Sequence, residues 1–407
     1  MAIPRDPSFD ATRAFFHEGY DWVGNRCRTL GSDIFSARLM LRPVTVIAGE
    51  EAAARFYDGA HFTRVGAMPQ MTMRLLQDKG SVQSLDGTGH AARKALFMSL
   101  LDDDGVSRFG EILADCWHAA LPRWRAAGTI TFHDACARLL CDAICRWAGV
   151  PLKGRALDRR TREMQAMIDG AGSVGPRAWR GLLLRRRSEQ WARRAIDRAR
   201  RAGPDTSPVG RIAHWRDPAG DRLDRRAAGV ELLNLVRPTV AVARFLTFAA
   251  LALHQHRDAA EWLRGDPHTR ALAFAQEVRR FYPFFPVIGG RVTRGFSWSG
   301  HRFRPRDWVL LGLHATNHDP RLWDEPARFR PDRFSGWTRL DDRLVPQGAG
   351  DPARDHRCPG EWLTIETIQR VVALLLSCRF HLPPQDLSIP LDRFPTLPRD
   401  GLRVRFD

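Results

Sequence analysis

The sequence predicts a mainly α protein with a small β-rich lobe, and three observations predict it. Apolar residues recur at helical spacing through most of the 407 residues. β-branched runs are short and confined to residues 44–49, to 290–319 and to the C-terminal "LRVRF". No repeat, low-complexity linker or composition break marks a boundary, so residues 1–407 read as a single domain.

In chain order, helical spacing covers 10–18, the strand "VTVIAG" comes next, and helices follow at 49–58, 68–78, 88–101, 106–125 and 132–149. The segment 155–200 reads as one long helix. Its densest charge run, "RGLLLRRRSEQWARRAIDRARRAG" from Arg180, gives it a broad basic face. Helices are expected again at 226–256, 258–264 and 267–281. Across 290–319, "RGFSWSGHRF" joins two or three small strands. From 320 onward Pro, Gly and Asp dominate, until apolar periodicity returns as a helix at 360–378.

The formal charge is +17, and Lys79, Lys94 and Lys153 are the only lysines, so the positive side is almost all arginine. Such runs mostly coat a solvated surface, although they also attract anions such as an anionic membrane face or an acidic substrate. The basic helix has few aromatics to stack on bases, which argues against a nucleic-acid partner. Seven cysteines show no CxxC pair and no framework spacing. The N-terminal "MAIPRDPSFDATRAFF" has no apolar run of signal or anchor length. The setting expected is reducing and cytoplasmic, without a membrane anchor.

The 226–256 helix raises the first chemical question. "ELLNLVRPTVAVARF" from Glu231 places Arg237 and Pro238 inside an apolar stretch. Proline removes a backbone donor and leaves a carbonyl near Asn234 free, and an unpaired buried guanidinium costs several kcal/mol. On a helical wheel Arg244 lies within about 20° of Arg237. A polar stripe facing solvent or a neighbour's acids is one reading, and a site for an anion is the other.

"VPQGAGDPARDHRCPGEWLTIETIQRVVALLL" from Val345 ends a Gly-rich loop at Cys358, just ahead of a helix. The helix N-terminus favours the thiolate, and nearby N–H donors tune a thiolate bound to a metal. Ligation of heme iron is chemistry that wants this arrangement. Upstream, Glu277 and Arg280 in "FAQEVRRFYPFFP" share a helix face, and Arg333 in "DPRLWDEPARFRPDRF" sits in a turn able to cap them.

In this order the motifs resemble the cytochrome P-450 superfamily over essentially the whole chain. The resemblance implies that superfamily's fold, a heme b held by Cys358, and a structural set of Glu277, Arg280 and Arg333. Two departures stand out. The extra "DPARDH" lengthens the cysteine loop, and "PQGAG" stands where a phenylalanine is usual. The second departure is Arg237–Pro238, which replaces the usual acid and threonine of the central helix. One branch is similar in both respects, the bacterial fatty-acid peroxygenases, with which "EVRRFYPF" and "HRCPGE" are shared.

That branch implies hydroxylation of long-chain fatty acids at the α or β carbon by hydrogen peroxide, with no redox partner. Arg237 would bind the substrate carboxylate, which serves as general acid and base beside Pro238. Gln83, in "GSVQSLDGTGH", matches a distal-pocket position where histidine marks decarboxylases that make terminal alkenes, and glutamine points to hydroxylation. Gln77 or Leu76 matches another pocket position, often aromatic in the branch. Arg64, His90, Lys94 and His356 are candidate partners for the heme propionates. The alternatives are such a decarboxylase, or a monooxygenase fed electrons by a redox partner docking on a basic face.

Overall fold

The computed structural model describes residues 3–77, 80–173, 175–337 and 341–407. Helices build most of it, and the largest apolar core runs between them. At its centre, Arg225–Ala241 and Ala243–Gln255 form one path of helix, interrupted at Val242. Asp224 starts this path by accepting from the Arg226 and Ala227 N–H groups at 2.7 and 2.9 Å. The interruption lies one turn past Pro238, where the Val242 N–H bonds to Thr239 O three residues back. Among the described residues this path alone is long and apolar enough to cross a membrane, and 94% of its apolar window is buried inside the fold.

The expected 155–200 helix is two helices, Gly154–Gly170 and Pro176–Ala202. Gly175 has φ +94°, open to glycine and strained for other residues, and Pro176 suits a first helical turn. Gly172 lies so close to Phe394 that an added Cβ would fall 2.5 Å from the Phe394 Cβ. The chain therefore turns where Gly172 lets it pass close against the Phe394 backbone and Gly175 takes up the positive φ.

The β-rich lobe is a five-stranded sheet in the order Ile34–Leu39, Arg42–Ile47, Trp308–Gly312, Val287–Val292, Phe62–Thr63. Arg42–Ile47 pairs in parallel with Trp308–Gly312, setting Thr45 against Val309, and the other neighbours are antiparallel. The strand expected at 44–49 is thus the end of a longer hairpin arm. Its partner 34–39, the Trp22–Leu30 helix and the Pro208–His214 helix carry too short a pattern to stand out in the sequence. The last residue of the expected 68–78 helix lies outside the described residues, and the helix observed is Gln70–Leu76. The helix after the cysteine, Glu361–Leu376, packs against Pro267–Phe281 and Ala243–Gln255, which fixes the cysteine loop relative to the central helix.

Candidate active site

One cavity gathers Gln83, His90, Lys94, Arg237, Pro238, His356 and Cys358. It is roomy and opens in part to solvent. Leu76, Leu235, Val242, Val287 and Leu363 contribute its apolar walls.

Cys358 sits on one wall, just before the Glu361–Leu376 helix. Its N–H donates to Gln347 O at 3.1 Å, and the Gln347 Nε2 amide reaches its Sγ at 3.6 Å and Thr364 Oγ1 at 3.1 Å. Burial pushes the thiol pKa up, and the Glu361 charge adds to this. The Gly360 N–H, Lys94 and Gln347 pull the other way. Glu361 is itself neutralised. Arg357 Nε donates to it at 2.6 Å, and Arg279 pairs with it from the Pro267–Phe281 helix. Arg279 Nε also donates to Gln347 Oε1 at 3.2 Å. Sequence reasoning missed this Arg279–Gln347–Glu361–Arg357 support. The available signal was glutamine in "PQGAG", since a side-chain amide can do for sulfur what phenylalanine cannot.

Arg237, 7% exposed, lines the same cavity. One guanidinium nitrogen donates to the Leu76 carbonyl. No carboxylate among the described residues comes within ion-pair distance of it. Burial pushes its pKa down to about 9; Arg185 adds to the drop and the Cys358 sulfur opposes it. The two readings of the arginine stripe therefore separate. Arg244 does face an acid, pairing with Asp169 at 2.5 Å, whereas Arg237 faces the cavity.

A turn and a half before Arg237, Glu231 is fully buried. It accepts from Arg93 at 2.7 Å, from the Val82 N–H at 2.9 Å and from Asn234 Nδ2 at 2.8 Å. Asn234 Nδ2 also lies 3.4 Å from Gln83 Oε1. Gln83, in the short Val82–Ser84 turn, is thereby tied to the central helix. Glu231 and Asn234 were not singled out for this in the sequence, because a buried acid four residues into an apolar run looks there like an ordinary surface position.

His90, Lys94 and His356 share one corner of the cavity, with Asp86 Oδ1 3.7 Å from His356 Nε2. The two imidazoles stack with centroids 4.1 Å apart. Burial and neighbouring cations push His90 down to about 4 and His356 to about 2, so both imidazoles stand neutral, while burial pushes Lys94 down to about 8 against the pull of the Cys358 sulfur and nearby acids. Lys94 Nζ donates to the carbonyls of Asp355, at 2.9 Å, and Arg357, so it also clamps the cysteine loop. Arg64 stands just outside the cavity, its guanidinium 4.1 Å over the Phe56 ring, and its buried Nε has no partner among the described residues. Two neutral imidazoles and the buried cations Lys94 and Arg64, gathered about a loop whose cysteine sulfur has an amide donor, fit a flat macrocycle that carries carboxylates and takes a thiolate ligand.

Glu277, Arg280 and Arg333 lie outside the cavity. Arg280 holds Glu277 through two bonds of 2.7 and 2.8 Å, and Arg333 Nε stands 3.4 Å from the same carboxylate. Arg280 also donates to Asn317 O and Pro326 O, each at 3.0 Å, so the pair locks the long irregular segment onto its helix.

Comparison with known proteins follows this geometry. The family model for Cytochrome P450 matches residues 272–402. Among curated proteins, a flavonoid-6-hydroxylase of Ocimum basilicum is 32% identical over 111 residues, 26% of this chain and 20% of that protein. Cytochrome P450 4A7 of Oryctolagus cuniculus is 26% identical over 177 residues, 40% of this chain and 34% of that protein. The chain thus spans a fifth to a third of the length of these curated relatives. Solved structures match over far more. Cytochrome P450EX alpha (CYP152N1) with myristic acid has a TM-score of 0.94 at 36% identity, covering 100% of this chain and 98% of that one. Cytochrome P450SP alpha (CYP152B1) with (R)-ibuprophen has 0.93 at 39%, covering 97% and 98%. A cytochrome P450 OleT variant with arachidonic acid has 0.95 at 30%, covering 100% and 98%. At these identities over nearly whole lengths, the chain belongs to the cytochrome P450 family, in the branch of CYP152B1, CYP152N1 and OleT.

Proposed function

We propose that this protein hydroxylates long-chain fatty acids at the α or β carbon with hydrogen peroxide and needs no redox partner. One C–H bond becomes C–OH, and the peroxide leaves as water. The observation that carries the reading is Arg237, a buried guanidinium facing an apolar cavity with no carboxylate of the described residues at ion-pair distance. A cation left without an anion selects a substrate that brings one. The bound myristic and arachidonic acids of two structural relatives support the same substrate class.

Heme b, held by Cys358 and flanked by His90, Lys94, His356 and Arg64, would supply the oxygen-transfer chemistry. The chain's own residues do the rest. Arg237 binds and orients the fatty-acid carboxylate with a charge-assisted bond. So held, that carboxylate takes a proton from one oxygen of hydrogen peroxide and returns it to the other, the work of a general base and then a general acid. Tethering at the carboxylate leaves only the first carbons of the chain within reach, which sets the regiochemistry. Pro238 cannot donate to Asn234 O, so the ladder is open beside the carboxylate position. Gln83, bonded to Asn234, presents an amide with no titratable proton, which favours hydroxylation over decarboxylation. A soluble, cytoplasmic enzyme is the corresponding setting.

The test uses purified holoprotein with hydrogen peroxide and myristic acid, without any reductase. The expected product is 2- or 3-hydroxymyristic acid, with little terminal alkene and no turnover of methyl myristate. Turnover that appears only when a reductase and NAD(P)H are added overturns the reading, and alkene as the main product replaces it with decarboxylation.

A further inference from the structure

We infer that one face of the molecule docks on an anionic lipid bilayer. The face is set by contacts between four separate segments. At the tip of the first hairpin, Leu41 is 70% exposed and Met40 49%. Their N–H groups bond to Asp10 Oδ2 and Thr12 Oγ1, which brings the tip beside Phe9, itself 71% exposed. One turn beyond Thr12, the exposed Phe16 meets the Phe394 ring at 6.2 Å. Gly172 packs against that same Phe394, and the turn it belongs to leads directly to Trp179 and Leu183, which are 63% and 56% exposed. Six large apolar side chains thus stand in water on segments that these contacts bring together. Soluble proteins rarely leave this much contiguous apolar surface unless something covers it.

The charge on this surface selects the occupant. Exposed Arg13, Arg42, Arg177, Arg180 and Arg393 belong to the same segments, and none has a carboxylate at ion-pair distance among the described residues. Asp10 spends its carboxylate on the Thr12 and Leu41 N–H groups, which leaves Asp392 as the exposed acid of the 390s turn. Apolar tips flanked by unpaired arginines match a bilayer of acidic lipids: rings and aliphatic chains enter the interface, and the guanidinium groups meet phosphates. Trp179, near the start of the arginine-rich helix, is a side chain suited to the headgroup level. The cavity reaches the surface on this side, since Phe285 lines it and is 42% exposed, and Phe284 O accepts from Tyr20, whose ring packs on Phe394. On the fatty-acid reading above, docking would deliver an amphiphile to that mouth, although vesicle binding is measured without any turnover.

The experiment is flotation of the holoprotein with vesicles of phosphatidylglycerol and, separately, of phosphatidylcholine. Binding is expected to phosphatidylglycerol only, weakening about tenfold or more when salt rises from about 0.1 to about 0.5 M. The triple variant Leu41→Ser, Trp179→Ser, Leu183→Ser should bind about tenfold more weakly with an unchanged heme spectrum. Arg354→Glu, an exposed change on the cysteine loop, should bind as wild type does. Absence of phosphatidylglycerol binding overturns the inference. So does binding that the triple variant retains in full, or that Arg354→Glu abolishes, because either reduces it to general charge adsorption. A concentration-dependent dimer in sedimentation velocity, lost in the triple variant, assigns the face to a second copy of the chain and equally overturns it.

Discussion

At the scale of one residue, the chemistry rests on the contrast between Arg237 and Arg244. Both are buried, and they sit on the same stripe of the central helix path, yet among the described residues only Arg244 has an acid to face. Truncating one partner of a buried charge pair costs about 2–5 kcal/mol, or at least roughly thirtyfold in rate when the pair forms with substrate. Arg237→Ala is therefore expected to keep its heme and its absorbance spectrum and to lose peroxide-driven hydroxylation by that margin or more. A variant with wild-type turnover of myristic acid excludes Arg237 as the carboxylate's partner. The depressed pKa adds a second expectation. Below about 9 the guanidinium holds its proton and attracts an anion. As pH climbs through that value the cation is lost and fatty-acid affinity falls, while the bound carboxylate, by favouring the charged form, shifts the fall upward. Spectral titrations with myristic acid across pH 7 to about 10.5 check this, because an arginine titrating in the ordinary range above 12 gives a flat profile.

At the scale of elements, the site depends on ties between segments that are distant in sequence. Glu231 joins the central helix to Arg93 on the Gly87–Leu100 helix and to the Val82 N–H of the Gln83 turn. Its loss leaves Arg93 without its partner and Asn234 free to rotate away from Gln83. Breaking a buried pair in this way costs about 3–5 kcal/mol. Glu231→Ala should thus lower the denaturant midpoint accordingly and blur the ratio of α- to β-hydroxylated product, whereas Glu231→Gln, which keeps an acceptor for the Val82 N–H, should retain more of both. An unchanged product ratio in the alanine variant means that Gln83 is positioned by something else. None of these ties could be read from spacing, because residues 82, 93 and 231 meet only after the helices pack. Arg280 and Glu277 were legible for the opposite reason: their contact is a local i, i+3 pair, and Arg333 announces itself by the proline turn that carries it.

At the scale of the whole molecule, the sequence showed what local periodicity encodes and missed what packing decides. The apolar helices were placed to within a few residues. The break at Gly170–Pro176 was passed over, because an arginine-rich pattern continues on both sides of it and the reason for the turn, Phe394, lies more than two hundred residues away. Of the four residues named for the heme carboxylates, His90, Lys94 and His356 line the cavity and Arg64 stands just outside it, and the clamp of Lys94 on the cysteine loop was not anticipated. Lys94, Arg64 and Arg237 are buried positive charge, which the fold tolerates at a cost until anions arrive. Ligands that bring those anions should therefore stabilise the entire fold, not merely occupy the cavity. An acid present at a hundred times its dissociation constant contributes about 2.7 kcal/mol to the unfolding free energy, which for a chain of this length raises Tm by a few degrees. Scanning calorimetry of the holoprotein with myristic acid and with its methyl ester separates the electrostatic share from the apolar one, since the two differ in the single charge that Arg237 can meet. The acid is expected to raise Tm and the ester to raise it far less. Equal shifts would mean that the acyl chain alone holds the ligand, leaving the guanidinium with no part in binding.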